Sequence, residues 1–290
     1  MVNKHWSISV VVAVALLFGA SLPAFTQANV LLQEEFHQTF AIPSDGHVSL
    51  EGITGVVVIK AWDRNEVRVD AVKRAYTKER LAEVNIKIDA GTDSIAIRTA
   101  YPGLAATVSR TSSSSATGTT TTNTTTMTTD WNSDPYMRRM NPATVDYTVM
   151  VPRGARLDNI QLVNGTLQVE GLDGRLNASS VNGEVTATQV SGEVKLSTVN
   201  GRLRTSLGRA KPGTTLVLSS VNGGIILDVA SGASATIRAT NVRGSIANDF
   251  NFTVRRGAQE AREMDGMLGN GGASVSLSNV NGAINIRRVQ

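Results

Sequence analysis

The sequence predicts an all-β chain built as a β-solenoid, a β-helix-like stack of coils of about 18 residues each. An N-terminal β-rich cap containing one short helix precedes the stack. Three observations predict this. Glycines at 165, 174, 183, 192 and 201 recur every nine residues. Each follows a turn-prone residue: Asn164, Asp173, Asn182, Ser191 and Asn200. The third observation is the apolar pattern between them. Counting glycine as position one, positions three, five and eight are mostly apolar, as in Leu176, Ala178 and Val181 or Val194, Leu196 and Val199. Positions two and four are polar, which is the period-two signature of a half-buried strand.

The stronger identity recurs at 18 residues, in Val163-Asn164-Gly165, Val181-Asn182-Gly183 and Val199-Asn200-Gly201. After insertions it continues as Val221-Asn222-Gly223 and Val280-Asn281-Gly282. These glycines, with Asp173-Gly174 and Ser191-Gly192, are read as the structural turns of the repeat, because Asn-Gly and Asp-Gly supply the positive φ of a reversal. The period stacks Arg175 on Glu193 and Glu184 on Arg202, pairs that favour an in-register array. It also lines up Ser179-Ser180, Ser197-Thr198 and Ser219-Ser220, so that small hydroxyls stack along one edge.

In chain order, residues 1–28 read as a secretory signal peptide. Lys4 marks its basic region, Ile8 to Ala20 is an apolar run of 13 residues, and Thr26-Gln27-Ala28 offers a cleavage site. The run is short for a membrane span. Residues 29–100 form the β-rich cap. Gly46 and Gly55 lead apolar alternations there, Ile86/Ile88 and Ile95/Ile97 flank a hairpin, and Thr77 caps a short helix running toward Val84. Residues 101–143 are a Ser/Thr-rich low-complexity insertion, without enough apolar surface to fold and so expected to be disordered. Residues 144–290 are the repeat domain, opened by a strand from Thr144 to Pro152. Gly257 to Gly272 reads as a surface loop before terminal strands at Ser274–Leu277 and Ala283–Ile286.

The chemistry-bearing residues are sparse. There is no cysteine, hence neither a disulfide nor a lipid-anchor thiol. Past the leader the histidines are His37 and His47, and no HExxH, Gly-x-Ser-x-Gly or phosphate-loop spacing occurs. The nonapeptide period invites comparison with calcium-binding rolls, but those need Gly-Gly-x-Gly-x-Asp, and here the acidic position is apolar or neutral. No catalytic residue, cofactor or metal ligand is therefore assigned. The formal charge is +4, and Arg138-Arg139, Arg255-Arg256 and Arg287-Arg288 are isolated pairs with no interleaved aromatics. Nucleic acid is not an expected partner.

Two stretches together resemble the bacterial putative-adhesin domain family. The first is Gly55-Val-Val-Val-Ile-Lys-Ala-Trp62-Asp-Arg-Asn-Glu-Val67. The second runs from Val145-Asp-Tyr147 through Val151-Pro152 and the Val-Asn-Gly units to the closing Ser-Asn-Val-Asn-Gly-Ala-Ile-Asn-Ile. The resemblance covers residues 36–100 and 144–288 and implies an exported β-solenoid without catalytic residues. The insertion departs from the family's compact pattern. The leading expectation is a non-enzymatic adhesin-like or scaffold protein of the cell envelope, periplasmic, surface-borne or secreted. It would present a rigid polar β surface to an envelope or extracellular polymer or protein, with no transmembrane span after cleavage. Two alternatives stay open: a polysaccharide-active lyase or hydrolase, using acids such as Glu260, Glu263 and Asp265, and a self-associating envelope structural protein.

Overall fold

The computed structural model describes residues 31–101, 143–208, 213–257 and 261–289. The expected signal peptide, nearly all of the Ser/Thr-rich insertion and Glu260 lie outside the described residues. Strands β1 (Leu32–Ala41), β2 (His47–Trp62), β3 (Glu66–Ala75), β4 (Asn85–Ala90) and β5 (Ser94–Ala100) come first, with helix α1 (Lys78–Ala82) between β3 and β4. Then follow β6 (Thr144–Pro152), β7 (Arg156–Glu170), β8 (Leu176–Asn182), β9 (Val185–Thr188), β10 (Val194–Asn200) and β11 (Leu203–Leu207). The chain ends in β12 (Thr215–Asn222), β13 (Ile225–Ala230), β14 (Ala235–Asn248), β15 (Val254–Arg256), β16 (Arg262–Leu268) and β17 (Ala273–Val289). The 17 strands among the described residues belong to one hydrogen-bonded sheet.

The predicted solenoid of stacked coils is corrected by the pairing of these strands. Strand β7 pairs with both β8 and β9, and β17 pairs with both β12 and β13, always in parallel. Following the hydrogen bonds from β7 through β8, β10, β12, β17, β13, β11 and β9 leads back to β7. The architecture is a closed parallel barrel of eight strands with further strands outside it. Closure arises because Asn164-Gly165 and Asn281-Gly282, expected as turns, lie inside β7 and β17. The backbone passes through both sites as continuous strand, so one strand serves two walls. The first wall is β8, β10 and β12; the second is β9, β11 and β13. Register keeps the 18-residue spacing, with Val194 opposite Leu176 and Leu203 opposite Val185.

The remaining strands lie outside the barrel, alongside β7 and β17. On one side β2 runs parallel to β7 along its length, β5 and β6 pair in parallel with β2, and β3 and β1 add antiparallel neighbours. Helix α1 begins where Thr77 accepts a hydrogen bond from the Arg80 amide at 3.3 Å, the cap expected from sequence. On the other side β14 pairs with β17, and β16 and β15 follow antiparallel. The expected loop at Gly257–Gly272 thus contains a strand, and the two expected terminal strands are one.

Most inward positions are apolar: Leu176 and Ala178, Val185 and Ala187, Leu203, Leu218, Leu227, Leu277 and Ile284 are all at most 1% exposed. Each fully buried aliphatic side chain contributes about 1.5–3 kcal/mol. The predicted charge pairs form on the outside. Arg175 Nη2 lies 2.7 Å from Glu193 Oε2, and Arg202 Nη1 lies 3.8 Å from Glu184 Oε2. Being exposed, they set register more than they stabilise.

Two buried tyrosines tie the outer strands together. Tyr147 Oη and Thr99 Oγ1 lie 2.7 Å apart, and Tyr101 Oη donates to the Ala143 carbonyl at 2.8 Å, joining the residues that flank 102–142. Burial pushes both phenols up to about 12. An unfolded phenol loses its proton near pH 10. Between about pH 10 and 12 the unfolded chain therefore binds fewer protons than the folded one, and stability falls as pH rises through that window. We expect a loss on the order of 2–3 kcal/mol from Tyr147 by the top of it, with Tyr101 acting in the same direction. Urea midpoints measured from pH 9 to 12 check this: Tyr147→Phe should flatten the decline, and an unchanged slope would refute it.

Candidate functional site

The outer surface at the corner of the first wall carries the most regular chemistry in the molecule. Alternation along β8 puts Leu176, Ala178 and Ser180 inside, so Ser179 and Val181 face outward. The parallel register repeats that choice on each neighbour. One outer row is Gln161, Ser179, Ser197, Ser219, Ser278 and Thr240. Two residues further along, a second row is Val163, Val181, Val199, Val221, Val280 and Val242, with exposures between 37% and 44%. At about 4.8 Å per strand the six valines span roughly 24 Å, and the two rows lie about 6.6 Å apart.

Position eight, apolar in the repeat, divides in the structure: Leu172 is buried, whereas Val181 and Val199 are exposed. The sequence signal was present, since strict alternation from Leu176 places position eight outward at this corner. The hydroxyl edge is corrected. Ser180, Thr198 and Ser220 point inward and are at most 4% exposed, leaving Ser179, Ser197 and Ser219 outside.

The residues predicted as repeat turns separate into two corners. Asn164, Asn182, Asn200, Asn222 and Asn281 come together in one amide ladder, each Nδ2 donating to Oδ1 of the preceding member at 2.8, 3.0, 3.0 and 2.8 Å. Their glycines, 165, 183, 201, 223 and 282, stack beneath them. Asp173 and Ser191 sit elsewhere, joined by a hydrogen bond from Ser191 Oγ to Asp173 Oδ1 at 2.5 Å, beside the stacked Gly174 and Gly192. Behind the valine row, Asn279 and Asn241 extend the inward hydroxyls, their amides donating to Gly223 O at 2.9 Å and Gly282 O at 2.8 Å. The outer rows are therefore fixed from behind, by buried packing and by the ladder.

Of the acids weighed for catalysis, Asp265 is held by two arginines. Asp265 accepts from Arg238 and Arg255, each at 3.0 Å. The buried Asp228 accepts from Arg204 Nε at 2.8 Å. His37 Nδ1 lies 2.7 Å from Asp70, which with Glu35 raises the imidazole's pKa, and His47 contacts Asp158. Among the described residues no group of three or more His, Asp or Glu is placed to hold a metal ion. No described helix is long and apolar enough to cross a membrane.

Comparison with known proteins gives neighbours by structure. No family model matches the chain, and no curated protein matches it. Among solved structures it is similar to a putative cell adhesion protein of Clostridium sporogenes, with a TM-score of 0.47 and 12% identity over 89% of this chain and 100% of that one. It is also similar to a putative adhesin of Bacteroides fragilis (TM-score 0.35, 8% identity, 88% and 97% covered). A putative lipid binding protein of Parabacteroides distasonis follows (TM-score 0.31, 6% identity, 88% and 97% covered). Most of these neighbours are adhesins or cell-adhesion proteins by name.

Proposed function

We propose that the protein is an exported, non-enzymatic adhesin-like protein that binds a repetitive envelope or extracellular polymer through the outer Ser/Val face. The observation that supports this reading most directly is the row of six in-register valines, each about two-fifths exposed. An apolar stripe beside hydroxyl and amide rows offers contact area and hydrogen bonds at one fixed spacing, which suits a ligand that also repeats. On this reading residues 1–28 direct export and 144–290 present the face, with the strands of 29–100 lying outside the barrel.

Retention on insoluble cell-wall polymer and in envelope extracts tests it. Replacing Val181, Val199 and Val221 together by lysine should reduce retention at least tenfold. All three side chains already meet solvent, so no core packing is lost, although neighbouring lysines repel one another; retention is therefore read well below the variant's own unfolding midpoint. Equal retention of the triple variant and the parent would overturn the assignment of this face.

A further inference from the structure

The end of the second wall carries a different feature. Along the last part of β17, Ile284 and Ile286 are buried inside the barrel, and Arg288 follows on the same parity, opposite Val229 of β13. A guanidinium thus stands in a register position that its strand otherwise fills with isoleucine. It lies 4.8 Å from the centroid of the Phe250 ring. Asp249 accepts from the Arg288 backbone amide at 3.0 Å, and among the described residues no carboxylate forms an ion pair with the guanidinium.

Arg288 opens onto a cleft of about 560 Å³ lined by Val229, Ala233, Phe250, Leu268 and Asn270. That is within the range of small-molecule sites, which combine apolar walls with a few placed polar groups. Two tight turns form its rim, one closed by Ala233 N to Ala230 O at 3.1 Å and the other by Gly271 N to Leu268 O at 3.1 Å. Ser234 Oγ locks them together, accepting from Asn270 N at 3.0 Å and donating to Leu268 O at 3.3 Å. The rim is therefore preformed. The cation is held by an aromatic face that leaves its N–H edge able to meet an anion, and arginine suits a carboxylate because it can donate two parallel hydrogen bonds.

We propose that this cleft binds a small anionic amphiphile, a carboxylate bearing an apolar chain. The carboxylate pairs with Arg288 and the chain lies against Phe250 and Leu268. The site is independent of the Ser/Val face.

Titration calorimetry on the full chain tests this, using sodium decanoate below its micellar range, decanol and sodium acetate as probes. Decanoate should bind saturably with one site. Decanol should bind at least tenfold more weakly, and acetate should give no measurable heat at the same concentration. Arg288→Gln should weaken decanoate at least tenfold and leave decanol unchanged. Absence of saturable decanoate binding, equal affinity for decanoate and decanol, or an unaffected Arg288→Gln variant would each overturn the proposal. The parent protein's probe series decides alone should that variant fail to fold.

Discussion

Gly183→Ala should destabilise the protein by about 3–5 kcal/mol, a large effect for adding one methyl group. Gly183 has φ of +149°, and a Cβ there would lie 1.7 Å from the Gly165 carbonyl oxygen. That oxygen is backbone, so no side-chain rotation relieves the overlap. Moving Gly165 away is obstructed in turn, because its own Cβ direction faces the Gly55 carbonyl at 1.8 Å. On the other side Gly201 faces the Gly183 carbonyl at 1.7 Å. The glycines form a column in which each rung is spaced by the absence of a side chain, so strain at one rung passes to the next. Gly208→Ala is the matched control: a Cβ there meets nothing within 4 Å among the described residues, and its effect should stay within about 0.5 kcal/mol. Urea unfolding followed by far-ultraviolet dichroism measures both. Similar midpoints for the two variants would show that the column tolerates a methyl group and that close stacking is not what excludes one.

The same glycines show what a sequence reading can and cannot reach. The nine-residue period, the Val-Asn-Gly identity at 18 and the Arg175–Glu193 pair follow from residue type and spacing alone, and that ion pair forms as the spacing requires. Closure of the barrel does not follow, because Asn-Gly is compatible both with a reversal and with a strand that carries on. At Asn182-Gly183 the strand stops; at Asn164-Gly165 and Asn281-Gly282 it continues. The dipeptide is the same, and the difference is set by which neighbours pair on each side. Strand β16 escaped the reading for a related reason. Its run of Glu263, Asp265 and Gly266 looks like surface, and antiparallel pairing with β14, with Met264 buried between, makes it a strand. The outward valine row was hidden differently, by treating apolar character as evidence of burial when alternation already assigned the residue to the other side.

That last distinction has its own measurable consequence. Leu196 and Val199 are both aliphatic residues of β10, three positions apart, and a reading by hydrophobicity gives them the same role. Leu196 is 0% exposed and Val199 is 43% exposed. Truncating Leu196 to alanine leaves a cavity facing Ala178 and Leu218, the residues opposite it on β8 and β12. Alanine at 178 is too small to fill the space, and hydrogen-bonded walls on both sides restrict collapse, so a cost of about 2–5 kcal/mol is expected. Val199→Ala removes methyl groups already in contact with water and creates no enclosed void, so it should cost no more than about 1 kcal/mol. Thermal or urea unfolding of the two single variants separates these outcomes. Comparable losses would place Val199 in the packed interior and remove the apolar row from the binding face. A large difference, with Val199→Ala also weakening polymer retention, would assign the row to recognition and leave stability to the inward residues of the same strand.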